Sequence, residues 1–360
     1  MLRTVAVGDE PEVAMPQPEI YLRSYPIPDG MAAHAAAVEQ DGWDGLLFTD
    51  TQNLSMDVYG SLYLAVAATS RLKLGTAVTN LTSRHPAVVA STIATLHHVS
   101  GGRAHIGVGR GDTALELIGV RPPSAHTFEG QLSELQTYLR GETVDADGFA
   151  SHITWLPLPE ETKVPVDVFG SGPHVIDAGA RIGDQVTATV GAEPDRVDWA
   201  IRTARDARAA AGGDPATLRV GAFLVVCVGT DEAALDALAR GNASISAHFQ
   251  RNVTASLSQG DVAAVDRVSG KYDLYHHGLE HATQAATLPD DFLRRFCVIG
   301  TPDDCIARLQ KLIGLGLSHL VFVGASRDVD HTVRERSDHL LATEVLPALR
   351  DVGRAGDPRT

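Results

Sequence analysis

The stretch LKLGTAVT, Leu72–Thr79, leads into PAVVASTIATLHHV, Pro86–Val99, and then into AHIGVG, Ala104–Gly109. The outer two segments are short and β-rich. The middle one repeats its apolar residues at helical spacing and opens on a proline, the residue whose missing N–H costs least at a helix start. A strand–helix–strand unit is therefore predicted here, and the rest of the chain repeats it. Ile20–Ser24 and Gly45–Thr49 precede it as strands; Val164–Phe169, Gln185–Thr189, Val220–Val228 and Leu320–Val323 follow it. Runs such as LLF and HLVFV are apolar without alternation, as expected of strands covered on both faces.

Helical patterns fill the intervals at Ser124–Arg140, Pro173–Ile182 and Glu193–Ala211. Another begins at Thr301-Pro302-Asp303-Asp304, where a hydroxyl N-cap, a proline at the first helical position and two acids meet the positive helix end. Ile306, Leu309 and Ile313 continue it at helical spacing, and Gly314 and Gly316 offer stops. Eight strands, each followed by a helix, predict an α/β (β/α)8 TIM barrel, and 360 residues suit one such domain. Two segments break the rhythm. Glu142–Glu161 is turn-rich and reads as an excursion between strands four and five, and polar, histidine-rich Ser244–Asp290 reads as a helical insertion on the catalytic face. The residues after about Asp351 read as a frayed tail.

Composition narrows the partners. A formal charge of -15 argues against nucleic acid or a polyphosphate surface. Three cysteines, Cys227, Cys297 and Cys305, form no C-x-x-C and no disulfide framework, which points to a reducing compartment. The N-terminal residues carry acids and prolines where a signal peptide needs an apolar core, and no stretch has the ~20 apolar residues of a membrane span. A cytoplasmic enzyme acting on a small molecule is the expectation.

Barrel enzymes hold ligands at the C-terminal strand ends. Here that rule selects Thr49–Gln52, Ala77–Asn80, Gly109–Asp112 and Gly170–Pro173. Gly107-Val-Gly-Arg-Gly111 has G-x-G-x-G spacing on a fourth strand, which argues against a dinucleotide fingerprint. Its glycines either let a flat ligand approach the backbone or simply make a tight turn. Ser171, Gly172 and Pro173 precede a helix and offer either a phosphate seat or an ordinary capped start. Asp50 and Asp112, at strand ends, are candidate proton donors or acceptors, with helix capping as the alternative for each. His277-Gly-Leu-Glu280-His281 matches an inverted zinc-protease motif, but Gly278 weakens the helix and no third ligand is specified. A solvated polar face is expected there, with no metal. His97 and His98 lie within a helix and read as structural.

In order and spacing, several of these segments resemble the luciferase-like flavin and deazaflavin oxidoreductases of the bacterial luciferase superfamily. They are Leu74–Asn80, Arg84–Val88, Ala94–Leu96, Ser100–Arg103, Gly107–Gly109, Thr113–Glu142, Gly170–Pro173, Ala180–Asp184 and Gly300–Pro302. Val78-Thr79-Asn80 and Gly109–Asp112 look most similar to coenzyme F420-dependent methylenetetrahydromethanopterin reductase and its relatives. The resemblance implies hydride transfer between F420 and an organic substrate, in a homodimer. Reduced FMN in a monooxygenase served by a separate flavin reductase is the alternative, and a non-catalytic flavin-binding barrel the reading from another class. It further implies that Asp50 and Thr51 line the ring, and that a bulge with a non-prolyl cis peptide at Ala77–Val78 backs it. Thr79, Asn80, Gly109, Arg110, Gly111 and Ser171 complete the seat; Gly172, Pro173, Thr189 and Gly191 take the cofactor phosphate; Asp112 falls near the reacting centre. Three positions depart from relatives: Thr51 stands where many carry histidine, Arg23 near a strand-one glutamate of the methanopterin reductase, and Ala192 where some place lysine. These departures argue against a methanopterin substrate and leave FMN open.

Overall fold

The computed structural model describes residues 17–158, 162–253 and 257–351, the last without its side chain; the N-terminal segment and the expected tail lie outside the described residues. Eight parallel strands close into a barrel: β1 Glu19–Ser24, β2 Gly45–Phe48, β3 Lys73–Asn80, β4 Ala104–Gly109, β5 Val166–Gly170, β6 Gln185–Ala188, β7 Arg219–Val228 and β8 His319–Val323. Each pairs with the next, β6 with β7, and β8 closes the ring on β1 through Glu19↔His319 to Arg23↔Val323. The helices at Pro86–Val99 and Pro173–Ile182 have the predicted bounds, and Ser124 caps Ala125–Leu139 by accepting the Thr127 amide.

Strand periodicity divides the core. Ile20, Leu46, Phe48, Leu74, Ile106, Val166, Val186, Leu320 and Phe322 pack outward under the helices. Tyr21, Leu47, Ala77, Phe169 and Val321 fill the barrel interior. The interior ends in charge on the N-terminal side: Glu19 is held by Lys73, Arg219 and the Tyr21 hydroxyl. Fully buried Asp167 accepts from Thr187 Oγ1 at 2.6 Å, with His105 and His319 nitrogens at 3.4 and 3.3 Å. Residues Arg23, Val78 and Phe223 sit at the opposite, C-terminal end of the interior, where the strands open.

The excursion after β4's helix contains an antiparallel hairpin, Val144–Ala146 with Phe149–Ser151, turned by Asp147 and Gly148, both at positive φ. An Asp-Gly pair is a recognised signal for such a turn, and the sequence carried it. The insertion between β7 and β8 starts earlier than expected, with the helix Glu232–Phe249. It continues as Gln259–Ser269, Thr283–Ala286 and Asp290–Phe296, buried on their own cluster of Leu238, Ala239, Val265, Phe292 and Phe296 against Val225 and Cys227 of β7. Glu232–Phe249 is alanine-rich and amphipathic, so by period alone it cannot be told from an ordinary barrel helix. No described helix is long and apolar enough to cross a membrane.

Candidate active site

A cavity of about 330 Å³ opens at the C-terminal rim under the insertion. Its wall brings together Asp50, Thr51, Ala77, Val78, Thr79, Asn80, Gly109, Arg110, Gly111, Asp112, Ser171, Gly172, Pro173 and Thr189. Gly191 alone of the expected residues stands outside that wall, buried beside the Phe296 ring.

The base of the wall is set by β3. Its register with β4 runs to Thr76↔Ile106 and resumes at Thr79↔Val108, leaving Ala77 and Val78 as a bulge with a cis peptide between them. Thr76 fastens the bulge, donating from Oγ1 to the Gly107 carbonyl at 2.7 Å and accepting the Gly107 amide at 3.1 Å. A Cβ on Gly107 would lie 2.2 Å from the Thr76 carbonyl oxygen, so only glycine permits this approach. Gly109, two residues on, leaves open the space beside the Val78 side chain.

Asp50 follows β2 and is buried. Its Oδ2 accepts from Thr79 Oγ1 at 2.7 Å and from Arg84 at 2.5 Å, while Oδ1 has no hydrogen bond among the described residues. Burial raises the carboxyl pKa by more than Thr79 and Arg84 lower it. Arg84 also reaches Asp57 at 2.9 Å and lies over the Tyr59 ring.

Asp112 starts the short helix Thr113–Glu116 but makes no side-chain cap bond. Instead both its oxygens meet Arg251 of the insertion, at 2.8 and 3.2 Å, and Arg251 also touches Glu116 at 3.3 Å. Such a fork fixes direction as well as charge. His248 lies 3.9 Å from Asp112 and stacks on Tyr272; burial pushes it down to about 4, the Asp112 charge opposing and Arg251 assisting. The loop after β4 and the insertion are thus joined by ionic contacts.

At β5, the helix Pro173–Ile182 begins from Gly172 without a side-chain cap, and its first-turn residues His174 and Val175 line the cavity. Ser171 is no cap: its hydroxyl donates to the Phe249 carbonyl at 2.9 Å. Thr189 borders the same corner, its carbonyl taking Gln250 Nε2 at 2.6 Å.

The expectation of a solvated His277–His281 face is corrected in half. His277 is buried and lines the cavity, its Nδ1 at 2.8 Å from the Tyr272 hydroxyl and 3.2 Å from Thr113 Oγ1. Burial, with Arg23, His248 and Arg327 adding to it, pushes His277 down to about 3, so the ring is neutral at physiological pH. His281 is exposed and pairs with Asp328. No group of three or more His, Cys, Asp or Glu able to hold a metal occurs among the described residues. Arg84, Thr76, Arg251 and His277 lay outside the predicted site. Spacing along the chain says nothing about Arg251 or His277, because they reach the rim only through the fold of the insertion.

The family model described as luciferase-like monooxygenase matches residues 12–319. The chain belongs to that family. A 5,10-methylenetetrahydromethanopterin reductase of Methanolobus tindarius is 28% identical over 295 residues, 81% of this chain and 89% of the relative. An F420-dependent glucose-6-phosphate dehydrogenase of Beutenbergia cavernae is 27% identical over 343 residues, 90% of this chain and 94% of the relative. Among solved structures, an F420-dependent secondary alcohol dehydrogenase in complex with an F420-acetone adduct matches with a TM-score of 0.73 at 19% identity, over 93% of this chain and 100% of that one. The fold is that of the family, and the chain is an oxidoreductase of it.

Proposed function

We propose that the protein binds coenzyme F420 at this rim and transfers a hydride between it and a small organic substrate. The observation that carries the reading is the Ala77–Val78 bulge, set beside Gly109 and Asp50 in one cavity. Relatives named for F420, matched over most of the chain, support it.

The residues present fit such a group. Val78 and Gly109 offer an apolar shelf with room for a flat ring, and Asp50 presents a free carboxylate oxygen. Gly172, Pro173, Ser171 and Thr189 border uncapped helix amides suited to a phosphate. When bound, F420 supplies the carbon that accepts or donates the hydride. The protein orients that group and manages one proton. Asp50 takes the proton role, since burial raises its pKa and one oxygen is unengaged. Asp112, locked to Arg251, positions the insertion over the cavity.

Equilibrium titration with oxidised F420 and with FMN, followed by fluorescence, tests the reading. Saturable, stoichiometric binding of F420, tighter than FMN, is expected. Tighter binding of FMN, with oxygen consumed when reduced FMN is supplied, would transfer the function to the monooxygenase reading.

A further inference from the structure

We infer that the substrate is a carboxylate, and that Arg23 is the residue that binds it; this rests on the proposed F420 site and names the substrate class for it. Arg23 stands on the interior face of β1, one layer above Tyr21, and lines the cavity. It is only 8% exposed. Among the described residues no carboxylate lies within ion-pair distance of its guanidinium, and it makes no hydrogen bond; Nε is buried without a partner. Its one contact of note is the Tyr25 ring, 3.9 Å from Cζ. A ring face softens the cost of burying a cation but does not replace a counter-charge. Arginine stays charged in proteins, so the cavity holds a standing positive charge.

The other arginines on the wall have hydrogen-bond partners. Arg251 is forked onto Asp112, and Arg110 donates to the Pro123 carbonyl at 3.0 and 2.7 Å. Arg84, which does not line the cavity, pairs with Asp50 and Asp57. His277, neighbouring Arg23, is neutral and brings no further charge. The unpaired planar guanidinium of Arg23 matches a planar carboxylate through two parallel hydrogen bonds. Apolar Phe223 and Val323, on the adjoining strands, share this part of the wall, so the carboxylate would carry a compact apolar body.

Isothermal titration with benzoate, its neutral isostere benzamide and inorganic phosphate tests the assignment, on the protein alone and on the protein saturated with F420. Benzoate is expected to bind saturably and benzamide at least tenfold more weakly, since bonds to a charged group are lost. Arg23→Met should weaken benzoate by about tenfold or more, leave F420 affinity unchanged, and raise the Tm of the ligand-free protein, because it replaces an uncompensated buried charge with an apolar chain. Arg23→Lys should retain part of the benzoate affinity and covers the case in which the methionine variant misfolds. Equal binding of benzoate and benzamide, phosphate binding tighter than benzoate to the F420-saturated protein, or loss of F420 affinity in Arg23→Met would each overturn it. Should F420 not bind while Arg23-dependent benzoate binding persists, the cofactor reading fails and the anion site stands.

Discussion

Asp50 and Asp112 look alike in the sequence, both acids at strand ends, and only their partners separate them. Asp50 keeps an oxygen free toward the cavity, whereas both oxygens of Asp112 are taken by a residue 139 positions away. Asp50→Asn is therefore expected to lower kcat by roughly 10²–10⁴-fold with F420 affinity near wild type, measured in steady-state and binding assays. Asp112→Asn should leave kcat within a few-fold and cost about 1 kcal/mol or less in stability, as the fork to Arg251 weakens. A hundredfold loss of kcat in Asp112→Asn, with the Tm unchanged, would return the proton role to it. What could be read along the chain was where acids and glycines fall on strand ends. What could not was charge pairing across the rim, because Arg251 and His277 come from a segment with no periodic link to the strands.

Elements were legible where their ends carry chemistry. Thr301 accepts the Asp304 amide while the Asp304 carboxylate accepts from the Thr301 amide, a capping box at the start of Pro302–Ile313. Thr301→Ala should cost ~1 kcal/mol, or about 1–2 °C in Tm for a chain of this size, and Thr301→Ser should restore it. An unchanged melt for the alanine variant would mean the box adds nothing. The β3 bulge was legible only through family resemblance; its clamp by Thr76 on Gly107 is a cross-strand bond that no local pattern announces. The insertion's first helix was missed because Glu232–Phe249 satisfies the same amphipathic rule as the barrel helices, although it packs on a separate cluster.

At the scale of the molecule, the barrel interior divides into a charged N-terminal end and a C-terminal end that opens into the cavity. Burial alone would raise the Glu19 and Asp167 pKa values. In Glu19, bonds from Lys73, Tyr21 and Arg219 outweigh it and bring the pKa down to about 2; in Asp167, His105 and His319 hold the carboxyl well below the usual range. Groups with depressed folded pKa values stabilise the fold above their unfolded pKa and lose that contribution as pH falls toward the folded one. Stability should therefore decline steadily below about pH 4.5 toward pH 2, and Asp167→Asn should flatten that decline while lowering stability at neutral pH; melts across this range would show it, and a wild-type curve no steeper than the variant's would refute it. The eight-strand closure followed from strand spacing and apolar runs, while this polar end did not: His105 and Asp167 lie inside predicted strands, but nothing along the chain shows that the barrel brings them together with His319. F420 is proposed to sit in one cavity, shelved by Val78 and Gly109. The direct test is a fluorescence titration of F420 against wild type and Gly109→Leu, whose side chain would occupy the space beside Val78. Saturable binding to wild type and at least tenfold weaker binding to a variant that melts at a similar temperature are expected; equal affinity for the two would rule the shelf out.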